Sequence, residues 1–563
     1  MKKIIFLLFF TFLFSQDLSF IYNSNQWKSL LHYDKKFLIN DQNFYISKKR
    51  SLKDELFADI KAFENGTYEC KFPARKLFIE KQLNIKFPIE KCPNLEIYEK
   101  KVPIDKIFLV FASENIKDPS SMMGHTFFKF EGIRNNHNYS HAISFYTLIN
   151  TANPLKLIYE NTIPGMKGLF VLRPYREVLY NYLLNENRNI WEYQLKLTPF
   201  QKKMIFYHTW ELKGIKQKYY FTSYNCASVI FYILSSANPK LIDKKNLWIT
   251  PLGLIKIVYK SHMIQKAEIL PSDEWFIKLL ENELSFDDIY KLKNDIISKN
   301  YANFRNLKKT KKNFYYITLA EVYMNYKRNN DKVLKQILKN YNFNYSLDLS
   351  KYKNPVKTPP ERQIGISFFK DDNKYLNLSF LPASHTLNDN NREYFNESQL
   401  KIGYVSILIN QNKILLNNFT IYNMINLIPY DILTNPISYN FNLTIDREYT
   451  SNTNKKLYFR VNAGIGYDVN IFTDINLFSL FNIGLRYNKK IDTIMYPKIG
   501  FLMYEIFHSK MQFYYEPIFK NQKFFYNKYY LSQNIFLKNN YTLFANVTKD
   551  KRTNLEIGIK KLF

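Results

Sequence analysis

From residue 363 to the C-terminus, apolar residues recur with period two. In Leu457-Tyr-Phe-Arg-Val-Asn-Ala-Gly-Ile-Gly-Tyr467 the odd positions are Leu, Phe, Val, Ala, Ile and Tyr, while the even positions include Arg460, Asn462, Gly464 and Gly466. Ile437 to Asp446 alternates in the same way. Only a strand turns successive side chains to opposite faces, so this pattern excludes helix. Polar clusters such as Lys370-Asp-Asp-Asn, Asn410-Gln-Asn, Thr450-Ser-Asn-Thr-Asn, Lys520-Asn-Gln and Thr548-Lys-Asp-Lys-Arg separate the stretches as turns. Strands of about ten residues, apolar on one face and polar with glycine on the other, fit a membrane barrel. About ten to twelve can be counted, and a bacterial barrel is expected to have an even number. A soluble antiparallel sandwich with one exposed face is the alternative.

Upstream the pattern changes character. Met1-Lys-Lys, an apolar run from Ile4 to Phe14 and then Ser15-Gln16 have the layout of a secretory signal peptide, assigned to residues 1–15. Residues 16–103 read as a helical N-terminal segment, 104–265 as a mixed domain, and 266–352 as a helical region that includes Asp273 to Glu283 and Thr318 to Tyr341. Residues 353–362, with Pro355, Pro359 and Pro360, form a linker, and 363–563 the antiparallel β-barrel. The fold class is therefore α+β. Export implies an oxidising compartment, where Cys70 and Cys92 can close a disulfide and leave Cys226, the last of three cysteines, unpaired. A net charge of +31 favours anionic partners. The lysines are scattered among asparagines without a nucleic-acid motif, which argues against nucleic acid. No Cys-x-x-Cys or paired-histidine helix is present, so neither a metal nor another cofactor is expected.

Two segments carry the chemistry. Ser121-Met-Met-Gly-His125-Thr-Phe-Phe reads as a turn delivering His125 onto an apolar strand, and Tyr224-Asn-Cys226-Ala-Ser places Cys226 where a helix begins, capped by Asn225. Free N–H groups and the positive dipole end at that position lower a thiol pKa and bind an oxyanion. Cys226 and His125 are thus the candidate nucleophile and base. Asn225, Ser121 and Tyr224 are candidates for the oxyanion site and pocket. A hairpin through Asn135 and Asn136 brings His125 beside Ser144 to Tyr146, making Ser144 the first candidate to orient the imidazole and His141 the second. His208 lies in a helix that starts at Thr198-Pro199-Phe-Gln201 with a capping box, where a partly buried structural histidine is the expectation. Arg188, Trp191, Trp210 and Glu211 line a pocket or form a core with a buried ion pair.

Ser121-Met-Met-Gly124-His125-Thr-Phe, Pro164-Gly165, Glu192-Tyr193, Trp210-Glu211-Leu212 and Asn225-Cys226 together resemble the Lnb N-terminal periplasmic domain family. Cys70-Lys-Phe-Pro73-Ala-Arg75 resembles the segment that precedes this domain, and the strands after 362 the β-rich domain that follows it in many relatives. The C-terminal strand, closing on Phe563 with Lys561 interrupting its apolar face, resembles that of bacterial outer-membrane barrels. The resemblance implies a permuted papain-like, NlpC-type fold in which Cys226 is the nucleophile and His125 the base. It further implies a thiol-dependent acyltransferase or acyl hydrolase acting on phospholipid and lipoprotein substrates at the periplasmic face of the outer membrane. An NlpC-type cell-wall peptide amidase, or a non-catalytic barrel with a periplasmic domain, are the other readings.

Overall fold

The structure, a computed structural model, describes residues 18–88, 90–113, 123–149, 151, 154–246, 248–347, 349, 353–450, 455–472 and 474–563. The signal-peptide assignment, 1–15, and Ser121 lie outside these residues. The chain divides into two units, one up to Ser272 and one from Asp273 to Phe563.

The first unit is built on a seven-stranded sheet: β1 (Lys106–Ala112), β2 (His125–Arg134), β3 (His137–Thr147), β4 (Met166–Pro174), β5 (Ile190–Leu195), β6 (Gln217–Tyr219) and β7 (Ile264–Leu270), in the order β6-β4-β3-β2-β1-β5-β7. Every neighbouring pair is antiparallel. Asn135 and Asn136 both take positive φ, 49° and 62°, which suits the primed two-residue turn that matches strand twist. That turn pairs Phe128 with Ile143 and Arg134 with His137, one position from the expected register. One face of the sheet is covered by the Cys226–Ala237 helix, whose residues are all buried because helices Asn25–Leu30 and Pro199–Glu211 pack around it. The other face holds Phe108, Val110, Phe127 and Ala142, covered by Tyr175, Val178, Leu179 and Tyr182. Thr198 and Gln201 form the anticipated capping box. Cys70 and Cys92 are bridged, with Cα atoms 5.3 Å apart.

In the second unit the expected helix from Thr318 to Tyr341 is instead two, Lys311–Tyr326 and Lys332–Lys339. Arg328 takes a left-handed φ of 51°, and Asp331 then caps a new helix by accepting from Leu334 N at 3.0 Å. The alternating region forms β8 (Gln363–Lys370), β9 (Lys374–Leu381), β10 (Glu397–Asn410), β11 (Lys413–Leu427), β12 (Ser438–Tyr449), β13 (Lys455–Phe472), β14 (Ile475–Asn488), β15 (Lys490–Glu505), β16 (Ser509–Lys520), β17 (Lys523–Phe536), β18 (Tyr541–Lys549) and β19 (Thr553–Leu562). Each pairs with the next, and β8 also pairs with β19 from Gln363↔Leu562 to Lys370↔Leu555, so twelve strands close on themselves. Closure excludes the open sandwich.

Its polarity is the reverse of a soluble core. Ile465, Phe481, Ile483 and Ile499 point outward and are more than half exposed, while Arg486, Lys510, Asn482 and Ser532 are buried inside. An apolar exterior of this extent is stable only against lipid. The loop between β9 and β10 folds into the interior. Asp389 accepts from Lys560 at 2.6 Å and from Gln363, Glu397 accepts from Lys510 at 2.6 Å and Tyr504 at 2.7 Å, and Asn388 donates to Tyr530 at 3.0 Å. Asp389→Ala leaves a buried ammonium unpaired and is expected to cost about 3–5 kcal/mol, read as a lower urea midpoint for loss of the heat-modifiable barrel.

Candidate active site

Gly124 shapes the turn before the histidine. Its φ is +80°, and a Cβ there would lie 2.6 Å from Phe111 Cε2 and 2.9 Å from the carbonyl of Ala112, so only glycine fits. His125 follows as the first residue of β2, opposite Ala112 of β1. Its ring stacks on Phe127 at 5.9 Å and lies 6.4 Å from that of Tyr182. Tyr182 belongs to a π-helical turn, Asn181–Asn185, a geometry that recurs at functional sites.

Cys226 opens its helix as expected, with Asn225 in extended conformation as N-cap. Every polar atom of the Asn225 side chain is committed to this local structure. Oδ1 accepts from Ser228 N at 2.9 Å, and Nδ2 donates to the carbonyls of Phe221 at 2.8 Å and Ile249 at 3.0 Å. Tyr224 points away from the thiol into a buried relay. Its hydroxyl meets His32 Nδ1 at 2.7 Å, His32 Nε2 meets His208 Nε2 at 3.1 Å, and His208 Nδ1 meets Glu211 at 2.8 Å. The Arg188, Trp191, Trp210 and Glu211 group does not assemble. Glu211 serves the relay, Trp210 donates to the Cys70 carbonyl, and Arg188 holds the carbonyls of Ser113 and Ala112 and the carboxylate of Glu186.

The Thr126 and Ala227 N–H groups and the Tyr219 hydroxyl lie close enough to the Cys226 sulfur to favour its thiolate, while the buried Thr126 hydroxyl makes no hydrogen bond. The Cys226 N–H itself donates to Tyr219 Oη at 3.4 Å. The sulfur is therefore beside the residue next to His125. The strand's alternation sends Thr126 toward the Cys226 helix and His125 toward Phe127 and Tyr182, and no hydrogen bond joins thiol and imidazole. The Arg188 guanidinium stands 4.8 Å from the centre of the Tyr182 ring. Ser144 is buried on the His125 side of β3, at the level of Phe127, without a hydrogen bond to the imidazole. His141 lies farther along, paired with Phe130. Tyr219, Thr126 and Tyr182 went unnoticed in the sequence. Tyr219 sits in a run, Tyr219-Tyr220-Phe221, where nothing marks which ring turns inward.

The electrostatics invert one expectation. Burial raises the Cys226 thiol pKa, outweighing the donors from Thr126, Tyr219 and Ala227 that favour thiolate. Burial, and then the Arg188 guanidinium, lower His125 to about 3. The resting pair is thus neutral thiol and neutral imidazole. The unfolded chain takes up a proton at His125 near the ordinary value of about 6.5, the folded chain only near 3. Between these values the unfolded state holds more protons, so His125 costs stability as pH falls through this window, on the order of 4–5 kcal/mol in full. His125→Asn is expected to flatten the acid side of the stability profile, measured as urea midpoints at about pH 4 and pH 7.

Residues 94–261 match the family model of the Lnb N-terminal periplasmic domain. Two models described as domains of unknown function match residues 19–82 (DUF7843) and 358–559 (DUF7840). No curated protein matches the chain. Similar solved structures include the KdgM porin (9% identity, TM-score 0.23, covering 36% of this chain and 99% of that one). The NanC porin (6%, 0.23, 35% and 98%) and OmpT, an outer membrane protein of Vibrio cholerae (8%, 0.20, 36% and 96%), are further examples. At these TM-scores the barrel assignment rests on its own strand pairing and polarity. Residues 94–261 thus match the Lnb N-terminal periplasmic domain model, and they are followed by a closed twelve-strand β-barrel of outer-membrane type.

Proposed function

We propose that this periplasmic domain is a cysteine-dependent acyltransferase or acyl hydrolase for phospholipid and lipoprotein substrates, with Cys226 as nucleophile and His125 as base. The observation that carries the reading is the position of the sulfur. It sits at a helix start, ringed by the N–H groups of Thr126 and Ala227 and the Tyr219 hydroxyl, one residue from His125. Such a ring of donors suits a carbonyl oxygen that gains negative charge. Burial raises the Tyr219 pKa well above the ordinary phenol range, so it remains a donor.

In the first step the thiol proton passes to the neutral imidazole as sulfur attacks the ester carbonyl carbon. The tetrahedral oxyanion is held by the Cys226 N–H and Tyr219. Its collapse breaks the ester C–O bond, and the imidazolium protonates the departing lysophospholipid alkoxide. An amine or water then attacks the thioester and regenerates the thiol. Cys226 is 2% exposed, so substrate enters by displacing a covering group. Tyr182, whose ring overlies His125 and Phe127 from a π-helical turn, is the group that moves. Ser144, buried on the same face of the sheet as His125, is the residue proposed to orient the imidazole once the ring turns toward the thiol.

The same burial favours a second reading, a barrel carrying a periplasmic domain without turnover. Incubating the purified chain with acyl-labelled phospholipid, with and without a lipoprotein acceptor, separates the cases. Label appearing on the acceptor supports transfer, and labelled fatty acid in its absence supports hydrolysis. Unchanged phospholipid in both arms overturns the enzyme reading.

A further inference from the structure

We infer that the groove between the helices of residues 273–341 and the barrel loop 428–437 binds the headgroup of an anionic phospholipid in the periplasmic leaflet. The inference is independent of any chemistry at Cys226. The groove encloses about 570 Å³, and its lining includes Lys293, Lys299, Lys327, Tyr323, Tyr430 and Ile297, with no carboxylate. The neighbouring acidic groups are hydrogen-bonded within the protein, Asp331 accepting from Tyr301 Oη at 2.7 Å and Leu334 N at 3.0 Å. Asp431 accepts from the backbone N–H groups of Leu433 at 3.0 Å and Thr434 at 2.6 Å, and Asp295 accepts from Asn303 at 2.7 Å. Lys293 donates to the Ile432 carbonyl at 2.7 Å, which fixes its ammonium at the wall with two protons to spare. The Lys327 ammonium stands 5.7 Å and 5.4 Å from the rings of Tyr323 and Tyr326.

A soluble anion would need only this charge. What points to lipid is continuity with the outer wall of the barrel. Tyr430 donates its N–H to the Asp468 carbonyl at 2.7 Å, and its ring meets that of Tyr467 at 6.0 Å. Tyr467 is 51% exposed and shares the outward face of β13 with Ile465, Val469 and Ile471. The groove therefore opens where the lipid-facing wall ends, at the end of the barrel from which the chain enters at Gln363. Along the adjoining helix, Phe286, Tyr290 and Ile297 fall on one face and are each more than half exposed. Aromatic rings with lysines at the margin of an apolar wall have the composition of a membrane interface. An acyl chain can run along Tyr467 and Ile465 while the phosphate sits among the three ammonium groups.

The test uses full-length protein in nanodiscs of phosphatidylcholine, titrated with phosphatidylglycerol and read by native mass spectrometry. Each lysine near the surface adds about five-fold to anionic-lipid binding. Lys299→Glu with Lys327→Glu is therefore expected to lower phosphatidylglycerol retention by about 25-fold or more. Phosphatidylcholine retention and heat-modifiable migration should stay unchanged, and excess inorganic phosphate should not displace the lipid. Retention unaltered by the double variant, or no preference for phosphatidylglycerol over phosphatidylcholine, overturns the inference. Displacement by inorganic phosphate overturns it in favour of a soluble-anion site.

Discussion

Replacing Cys226 with alanine is expected to lower acyl transfer by about 10⁴-fold or more while leaving the fold intact. In the proposed reaction the sulfur is the group that forms the covalent intermediate, and alanine removes it. The structural cost is small, because one buried sulfur is removed from a helix that Asn225 still caps and that buries eleven further residues. A destabilisation of about 1 kcal/mol is expected, read as a modest shift in urea midpoint. His125→Ala should lose a comparable share of turnover without removing the thiol itself. If the alanine variant at 226 turns over normally, or unfolds, the residue is a packing cysteine.

Arg75→Met is expected to destabilise the first unit by about 3–5 kcal/mol, the largest structural effect among single substitutions there. The guanidinium is fully buried between the rings of Phe44 and Phe72, 4.6 Å and 4.2 Å from their centroids. It pairs with Glu55 at 2.8 Å and Asp59 at 3.6 Å and donates to the Phe44 carbonyl at 2.6 Å. Methionine fills the space but leaves the Glu55 carboxylate, itself 1% exposed, without its cation. Burial raises the Asp59 pKa well above the usual carboxylate range, and Asp59→Asn, which keeps the shape and removes the buried charge, is expected to cost only about 1 kcal/mol. The contrast between the two, measured by urea titration with tryptophan fluorescence, separates loss of the charge pair from loss of packing. Glu211 accepts from the backbone of Ala74 and Arg75 and continues through His208 and His32 to Tyr224.

What could be read from the sequence is what local periodicity and short-range chemistry decide. Alternation from Leu457 to Tyr467 specified a strand whose neighbours close a barrel, and Asn135-Asn136 specified the hairpin to within one residue of register. Asn225 and Thr198 marked helix starts through caps that depend on three residues apiece. Elements set by distant contacts stayed hidden. Arg75 reaches Glu55 and Phe44 across separate segments, and His32 and His208 meet 176 positions apart. Tyr219 could not be told from Tyr220, because a three-residue strand gives alternation too little length to register. The thiol pKa departs from the helix-start expectation for a related reason. A helix start lowers it locally, but burial of the thiol is a property of the assembled domain, and the desolvation it imposes prevails over the donors from Thr126, Tyr219 and Ala227.

The most direct test of the proposed chemistry is peptide mass mapping of the chain after brief exposure to phospholipid, quenched in acid to preserve thioesters. A fatty-acyl mass increment on the peptide containing Cys226, removed by neutral hydroxylamine and abolished in Cys226→Ala, is the predicted result. An unmodified Cys226 peptide under conditions where phospholipid is consumed, or an acyl group located on another residue, would contradict it.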